Sequence, residues 1–279
     1  MVSRAALCLI LMAGAACSTK TIIAVDPFPC SDAGITGCRP GLLDDLIGYW
    51  KLNEAPGSLT AHDSSSWGND GMLVGLDGAT AWVTDTAAPE GAALSVEGKG
   101  HVTVPRSASI DTVTTQVTIA AWMYLDASIV DYATAISRQI ATGSGFGQLY
   151  HLGVNTNMQP VTFITPGDES NQLTRFAGAS VPQKKWFHIA STYDGSNVYV
   201  YFNGMQVDTG AVTGMFSAQT TPVILSGNAN GNTITESVPG RLAEVMLYRR
   251  ALPADDIMRL YQGALITPKP PHTDAAAGQ

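Results

Sequence analysis

The clearest pattern of apolar and polar positions lies at Trp186 to Val207. Trp186 to Tyr193 alternates with period 2 and is rich in aromatic and β-branched residues, which suits a pleated, half-buried strand. Asp194-Gly195-Ser196-Asn197 breaks the run with residues that tolerate left-handed backbone. A second strand follows from Val198 to Phe202, with Val198, Val200 and Phe202 on one face and Tyr199 and Tyr201 on the other. Asn203-Gly204 is a two-residue hairpin signal, because a type I′ turn needs positive φ at both central positions. Such a meander cannot bury both of its faces alone and requires a second sheet.

The same period predicts strands along most of the chain: Ile47–Leu52, Met72–Leu76, Ala92–Val96, His101–Val104, Ala133–Ser137, Tyr150–Val154, Val161–Thr165, Leu173–Phe176, Pro222–Ser226 and Gly240–Tyr248. Val117–Leu125 is almost continuously apolar and reads as a central strand covered on both faces. Turn residues recur roughly every 8 to 15 residues, the spacing of a sandwich. Leu42 to Leu46 allows one helical turn. Pro253 to Gln262 predicts the one clear helix, with Pro253 in its first turn, Asp255 and Asp256 at its positive end, and Ile257, Leu260 and Tyr261 on one face. The fold class is therefore all-β, an antiparallel two-sheet sandwich with one short C-terminal helix.

Composition narrows the picture. Only 14% of the 279 residues are charged, 28 are Gly, and the formal net charge is −8. That balance suits an extracellular β domain and opposes nucleic-acid binding, which needs clustered Lys and Arg. Lys184-Lys185 and Arg249-Arg250 are the basic pairs, and both read as solvated strand ends.

The N-terminus carries an address. Arg4, the apolar run Ala5 to Met12 and the small residues Ala13 to Ala16 form an export signal over residues 1–17. Gly14-Ala15-Ala16-Cys17 resembles the lipobox of bacterial lipoproteins. That resemblance implies lipidation of Cys17, anchorage to the membrane through lipid, and outer-membrane or cell-surface localisation; ordinary cleavage near Ala15 or Ala16 is the alternative. Residues 18–41 read as a Pro- and Gly-bearing tether holding Cys30 and Cys38, an even pair that predicts a disulfide in an exported chain. The globular domain is expected over residues 42–264, and residues 265–279 read as a disordered tail.

The residues from Tyr49 onward carry a family resemblance. Tyr49-Trp50-Lys51-Leu52-Asn53-Glu54, Asp63-Ser64-Ser65, Gly68-Asn69-Asp70-Gly71, His101-Val102-Thr103-Val104-Pro105 and Thr118-Ile119-Ala120-Ala121-Trp122 follow one another in the order of a bacterial laminin-G-like, concanavalin A-like jelly roll. Trp186, His188, Ala190, Thr192 to Gly195, the Tyr201 to Gly204 turn, and Gly240 to Val245 with Tyr248 complete the match over about residues 46 to 263. The resemblance implies a jelly roll of two antiparallel sheets, and its members include lectins, adhesion modules and glycosidase-associated domains, so fold alone does not assign function.

The resemblance also implies a possible structural calcium. Asp63, Asn69, Asp70 and Glu244 are its candidate oxygen donors, with Ala243 standing where the family often has Asp. A turn at Asp63 and pairing of Glu244 with a neighbour such as Arg250 is the alternative. For a ligand, Trp67 and Trp82 fall in predicted loops and could stack on a sugar ring, whereas Trp122 and Trp186 read as core and His188 as a hydrogen-bonded structural residue. Catalytic signals are weak. Glu97, Glu169, Glu236 and Glu244 stand in separate elements, Asp168-Glu169 is a solvated pair, and no nucleophile elbow, zinc-protease helix or phosphate-binding loop occurs. The expected function is a non-catalytic cell-surface binding or adhesion module for a glycan or an extracellular protein. A structural surface lipoprotein and a glycan hydrolase are the rivals.

Overall fold

The computed structural model describes residues 41–141, 147–230 and 233–263. The expected signal, lipidation at Cys17, the Cys30–Cys38 pair and the tail all lie outside them. In chain order the elements are β1 (Leu46–Trp50), β2 (Thr60–Ala61), β3 (Gly71–Val74), α1 (Gly78–Ala81), β4 (Trp82–Thr84), β5 (Ala92–Ser95) and β6 (His101–Val104). Then come β7 (Val117–Leu125), β8 (Ala133–Gln139), β9 (Gln148–Val154), β10 (Pro160–Ile164), β11 (Leu173–Phe176) and β12 (Trp186–Tyr193). The chain continues through β13 (Asn197–Phe202), β14 (Met205–Ala211), β15 (Val223–Leu225), β16 (Asn228–Asn230), β17 (Thr233–Thr235), β18 (Gly240–Tyr248) and α2 (Ala254–Tyr261).

Two antiparallel eight-stranded sheets result. The first has the order β14-β13-β12-β7-β18-β5-β4, with β1 also paired to β18; the second has the order β11-β10-β9-β8-β15-β6-β3-β2. Strand alternation places Val117, Ile119, Ala121, Met123 and Leu125 of β7 inward against Tyr150, Leu152 and Val154 of β9, and these belong to one buried cluster. The other face of the first sheet is covered in part by α2. Ile257 and Leu260 pack there on Ala120, Ala190 and Tyr201, and Tyr261 stacks on Trp122 at 5.5 Å. Asn203 (φ 47°) and Gly204 (φ 79°) adopt the left-handed turn predicted for the β13–β14 hairpin.

Several elements were not predicted. Trp82, expected in a loop, begins β4; its side chain is 5% exposed and its Nε1 donates to the Ser58 carbonyl at 2.8 Å. It is therefore part of the core and offers no ring to a ligand. The β16–β17 pair escaped because Gly and Asn give it no apolar period. Trp122 and Trp186, expected in the core, lie on the outward face of the first sheet beside Ala88 and Ala243, where Trp186 Nε1 donates to Asp85. His188 is structural through its ring: it meets Trp122 edge-on at 5.5 Å, and burial pushes its imidazole down to about 3. The expected side-chain hydrogen bond is not seen at Nδ1, which has no partner among the described residues.

Candidate ligand-binding loop

The loop between β2 and β3 is built on Asp63. Its Oδ1 accepts the backbone N–H groups of Tyr49 and Ser65, both at 2.8 Å. Its Oδ2 accepts the Ser65 hydroxyl and the Asn69 N–H, both at 2.7 Å. Four donors thus fill the four lone-pair positions of one carboxylate. Asn69 closes the loop from beneath. Its Nδ2 donates to the Ile47 carbonyl, its Oδ1 accepts from Ser107 and Ser109, and its own carbonyl accepts Trp50 Nε1. A loop so constrained presents its outermost side chain in a defined place. That side chain is Trp67, 48% exposed.

Beside Trp67 lies the end of β18. The guanidinium of Arg249 is 5.8 Å from the Trp67 ring centre, a distance at which the ring quadrupole attracts the cation. Arg249 is itself held, since its Nε donates to Asp45 Oδ1 at 2.6 Å and its backbone N–H to the Asp45 carbonyl at 3.0 Å. Trp67, Arg249 and Asp45 therefore form one exposed aromatic and ionic cluster. The sequence marked Trp67 but read Arg249 only as a solvated strand end. An Arg pair closing the last strand opposite an aromatic loop was the available signal.

The four candidate calcium donors do not fit one ion. Asp63 is saturated by donors, Asn69 Oδ1 is occupied by two hydroxyls, and Asp70 accepts from the Asp63 N–H at 2.8 Å and faces His62 Nδ1 at 3.2 Å. Glu244 projects elsewhere, onto the outward face of the first sheet beside Tyr49, Glu90 and Lys51. Among the described residues no three His, Cys, Asp or Glu side chains are gathered as a metal-ligand set.

Glu244 sits at a bulge of β18 with φ 47°. Burial first, and then the charge of Glu90, push its carboxyl up to about 7. The unfolded chain releases this proton near the usual 4.5, so folding loses stability as pH rises from about 4.5 to 7 and the loss is complete above that range. Glu244→Gln is expected to remove the slope, so that its melting temperature exceeds the parent's at pH 8 but not at pH 4.5. Melting curves at the two pH values check this; a parallel shift at both would contradict it.

Glu236 and Asp168 are engaged within the fold. Glu236 Oε2 accepts from Thr134 Oγ1 at 2.7 Å and lies 3.5 Å from His151 Nε2, while Oε1 accepts from Asn228. Burial raises the Glu236 carboxyl, and the bonds from His151 and Thr134 outweigh that and bring it below its usual range. His151 is fully buried and stacked on Phe163. Asp168 caps a short turn through Ser170.

Two packed antiparallel sheets with this connectivity define a jelly-roll sandwich of the lectin type. A family model described as "Concanavalin A-like lectin/glucanases superfamily" matches residues 96–258, more than half of the chain, and the protein belongs to that family. No curated protein is significantly similar to it in sequence. Among solved structures it is similar to the binding domain of Paraclostridial Mosquitocidal Protein 1, at 14% identity and a TM-score of 0.59, covering 79% of this chain and 52% of that one. It is also similar to domain 4 of AbnA, a GH43 extracellular arabinanase from Geobacillus stearothermophilus solved with arabinotriose, at 18% identity and a TM-score of 0.56, covering 78% of this chain and 98% of that domain. A third is CBM40 of the Ruminococcus gnavus IT-sialidase, at 16% identity and a TM-score of 0.53, covering 61% and 96%. The likeness is one of fold, and the chain spans about half the length of the toxin binding domains it matches. These neighbours are mainly binding domains.

Proposed function

We propose that this protein is a non-catalytic carbohydrate-binding module whose ligand rests on Trp67. The observation that carries this reading is the half-exposed indole on a loop locked by Asp63. A flat aromatic face suits the C–H face of a sugar ring, and a ring held in place loses little freedom on binding. Arabinotriose in the AbnA domain and the gangliosides named for botulinum neurotoxin type C support a glycan ligand for this fold. The satisfied state of Asp63 and Glu236 supports binding without turnover, since hydrolysis needs a carboxylate pair facing the bond.

The test is a glycan array on the full chain, with Trp67→Ala as control. The parent is expected to bind a defined set of glycans, and the variant to lose roughly tenfold or more of that affinity. Its melting temperature should stay within about 2 °C, because the side chain is about half solvated and lies outside the core. Binding that survives Trp67→Ala would contradict the site.

A further inference from the structure

Resting on that reading, we infer that the glycan is neutral and is held at Trp67 through adjacent hydroxyls by Arg249 and Asp45 acting together. The Arg249–Asp45 pair is joined by a single side-chain bond, Nε to Oδ1. Among the described residues neither Nη1 nor Nη2 of Arg249 has a hydrogen-bond partner, nor does Asp45 Oδ2. Both side chains are about one-third exposed, 37% and 35%. The cluster therefore offers guanidinium donors and a carboxylate acceptor side by side, next to an exposed indole. A hydroxyl group both donates and accepts. Two adjacent hydroxyls on a sugar ring match such a mixed edge, while the ring's apolar face lies against Trp67.

A carboxylated sugar fits less well. Its charge would meet the Arg249 guanidinium, but also the free Oδ2 of Asp45. The remaining basic group at this corner, Arg250, is turned inward, with Nε on the Asp44 carbonyl and Nη2 on the Gly41 carbonyl. His62 faces Asp70. The chain as a whole carries a net charge of −8, which opposes approach of an anion. The Arg–Asp pair is neutral in sum, and a neutral ligand costs it nothing electrostatically.

The position of Asp45 supplies a variant that separates the two ligand classes. Its φ is 61°, and Asn adopts left-handed backbone as readily as any residue with a side chain. Asp45→Asn keeps an acceptor at Oδ1 for Arg249, turns the open acceptor into a donor, and uncovers the positive charge of Arg249. A neutral glycan loses a charge-assisted bond and is expected to bind roughly tenfold more weakly. A carboxylated glycan would bind more tightly.

The experiment is titration calorimetry on the full chain with two panels: neutral arabino-, galacto- and gluco-oligosaccharides, and the corresponding oligogalacturonates and sialyl-oligosaccharides. Parent, Trp67→Ala and Asp45→Asn proteins are compared, with melting temperatures as the folding control. Binding of neutral sugars that both variants weaken supports the inference. Binding confined to carboxylated sugars, weakened by Trp67→Ala and strengthened by Asp45→Asn, overturns it while leaving the glycan-binding reading intact. Neutral binding indifferent to both variants overturns this site. Absence of binding to either panel removes the glycan reading, and the inference falls with it.

Discussion

Arg138→Ala is expected to cost the domain about 3–5 kcal/mol, the range for breaking a buried ion pair from one side. For a domain of this size that lowers the melting temperature by roughly 10 °C. The reason lies in where the guanidinium sits. Arg138 is on β8, 1% exposed, facing the interior between the sheets. Its Nη2 donates to Asp111 Oδ1 at 2.7 Å, and its Nε donates to the Thr221 carbonyl at 3.2 Å. Nη1 reaches the Ile110 carbonyl at 3.4 Å, and Nη2 also reaches that of Gln219 at 3.4 Å. Removal takes one donor from each of the Thr221, Ile110 and Gln219 carbonyls and leaves a cavity beside Tyr150. Asp111 keeps its ion pair with Arg106, at 2.7 Å on the surface side. Arg138→Met should cost less, because it fills the space. Thermal melts of Arg138→Ala and Arg138→Met check the order; equal melting temperatures for Arg138→Ala and the parent would contradict the account.

Asp63→Ala is the second large effect, expected to cost about 2–4 kcal/mol and to abolish the proposed glycan binding as well. A single carboxylate holds three backbone N–H groups and one hydroxyl, and each bond to a charged acceptor is worth about 1.5–3 kcal/mol where it is protected from water. Partial exposure reduces the sum. Without Asp63 the turn from Ser64 to Asn69 loses its fixed shape, and Trp67 loses its place beside Arg249. Asp63→Asn should be intermediate, because the amide retains one acceptor oxygen. The check is a paired measurement of melting temperature and binding: Trp67→Ala loses binding alone, whereas Asp63→Ala loses both. Retained binding in Asp63→Ala would show that the loop does not depend on this carboxylate.

Much of the architecture was legible residue by residue. The alternation of Trp186 to Tyr193, the Asn203-Gly204 turn and the Pro253 helix appear where they were expected, because each is decided by neighbours a few positions away. Trp82 and Trp186 were misplaced for the opposite reason. Whether an aromatic ring is covered depends on which strand crosses it, and Ser58 and Asp85 reach those rings from other parts of the chain. The calcium candidates show the same division. Four oxygen-bearing residues were visible, but not that Tyr49, Ser65 and Asn69 would already occupy the oxygens of Asp63.

The all-β class, most strands, the meander and the closing helix can all be read from short stretches of sequence. These follow from periodicity and turn chemistry, which act over a few residues. The cluster of Trp67, Arg249 and Asp45 exists only in the folded chain. Asp45 and Arg249 stand 204 positions apart and meet because β1 pairs with β18, Leu46 opposite Tyr248. Trp67 joins them because Asp63 ties its loop to the backbone of β1. No local pattern encodes such a meeting. It is a product of sheet register, which the buried faces of the whole sandwich set together.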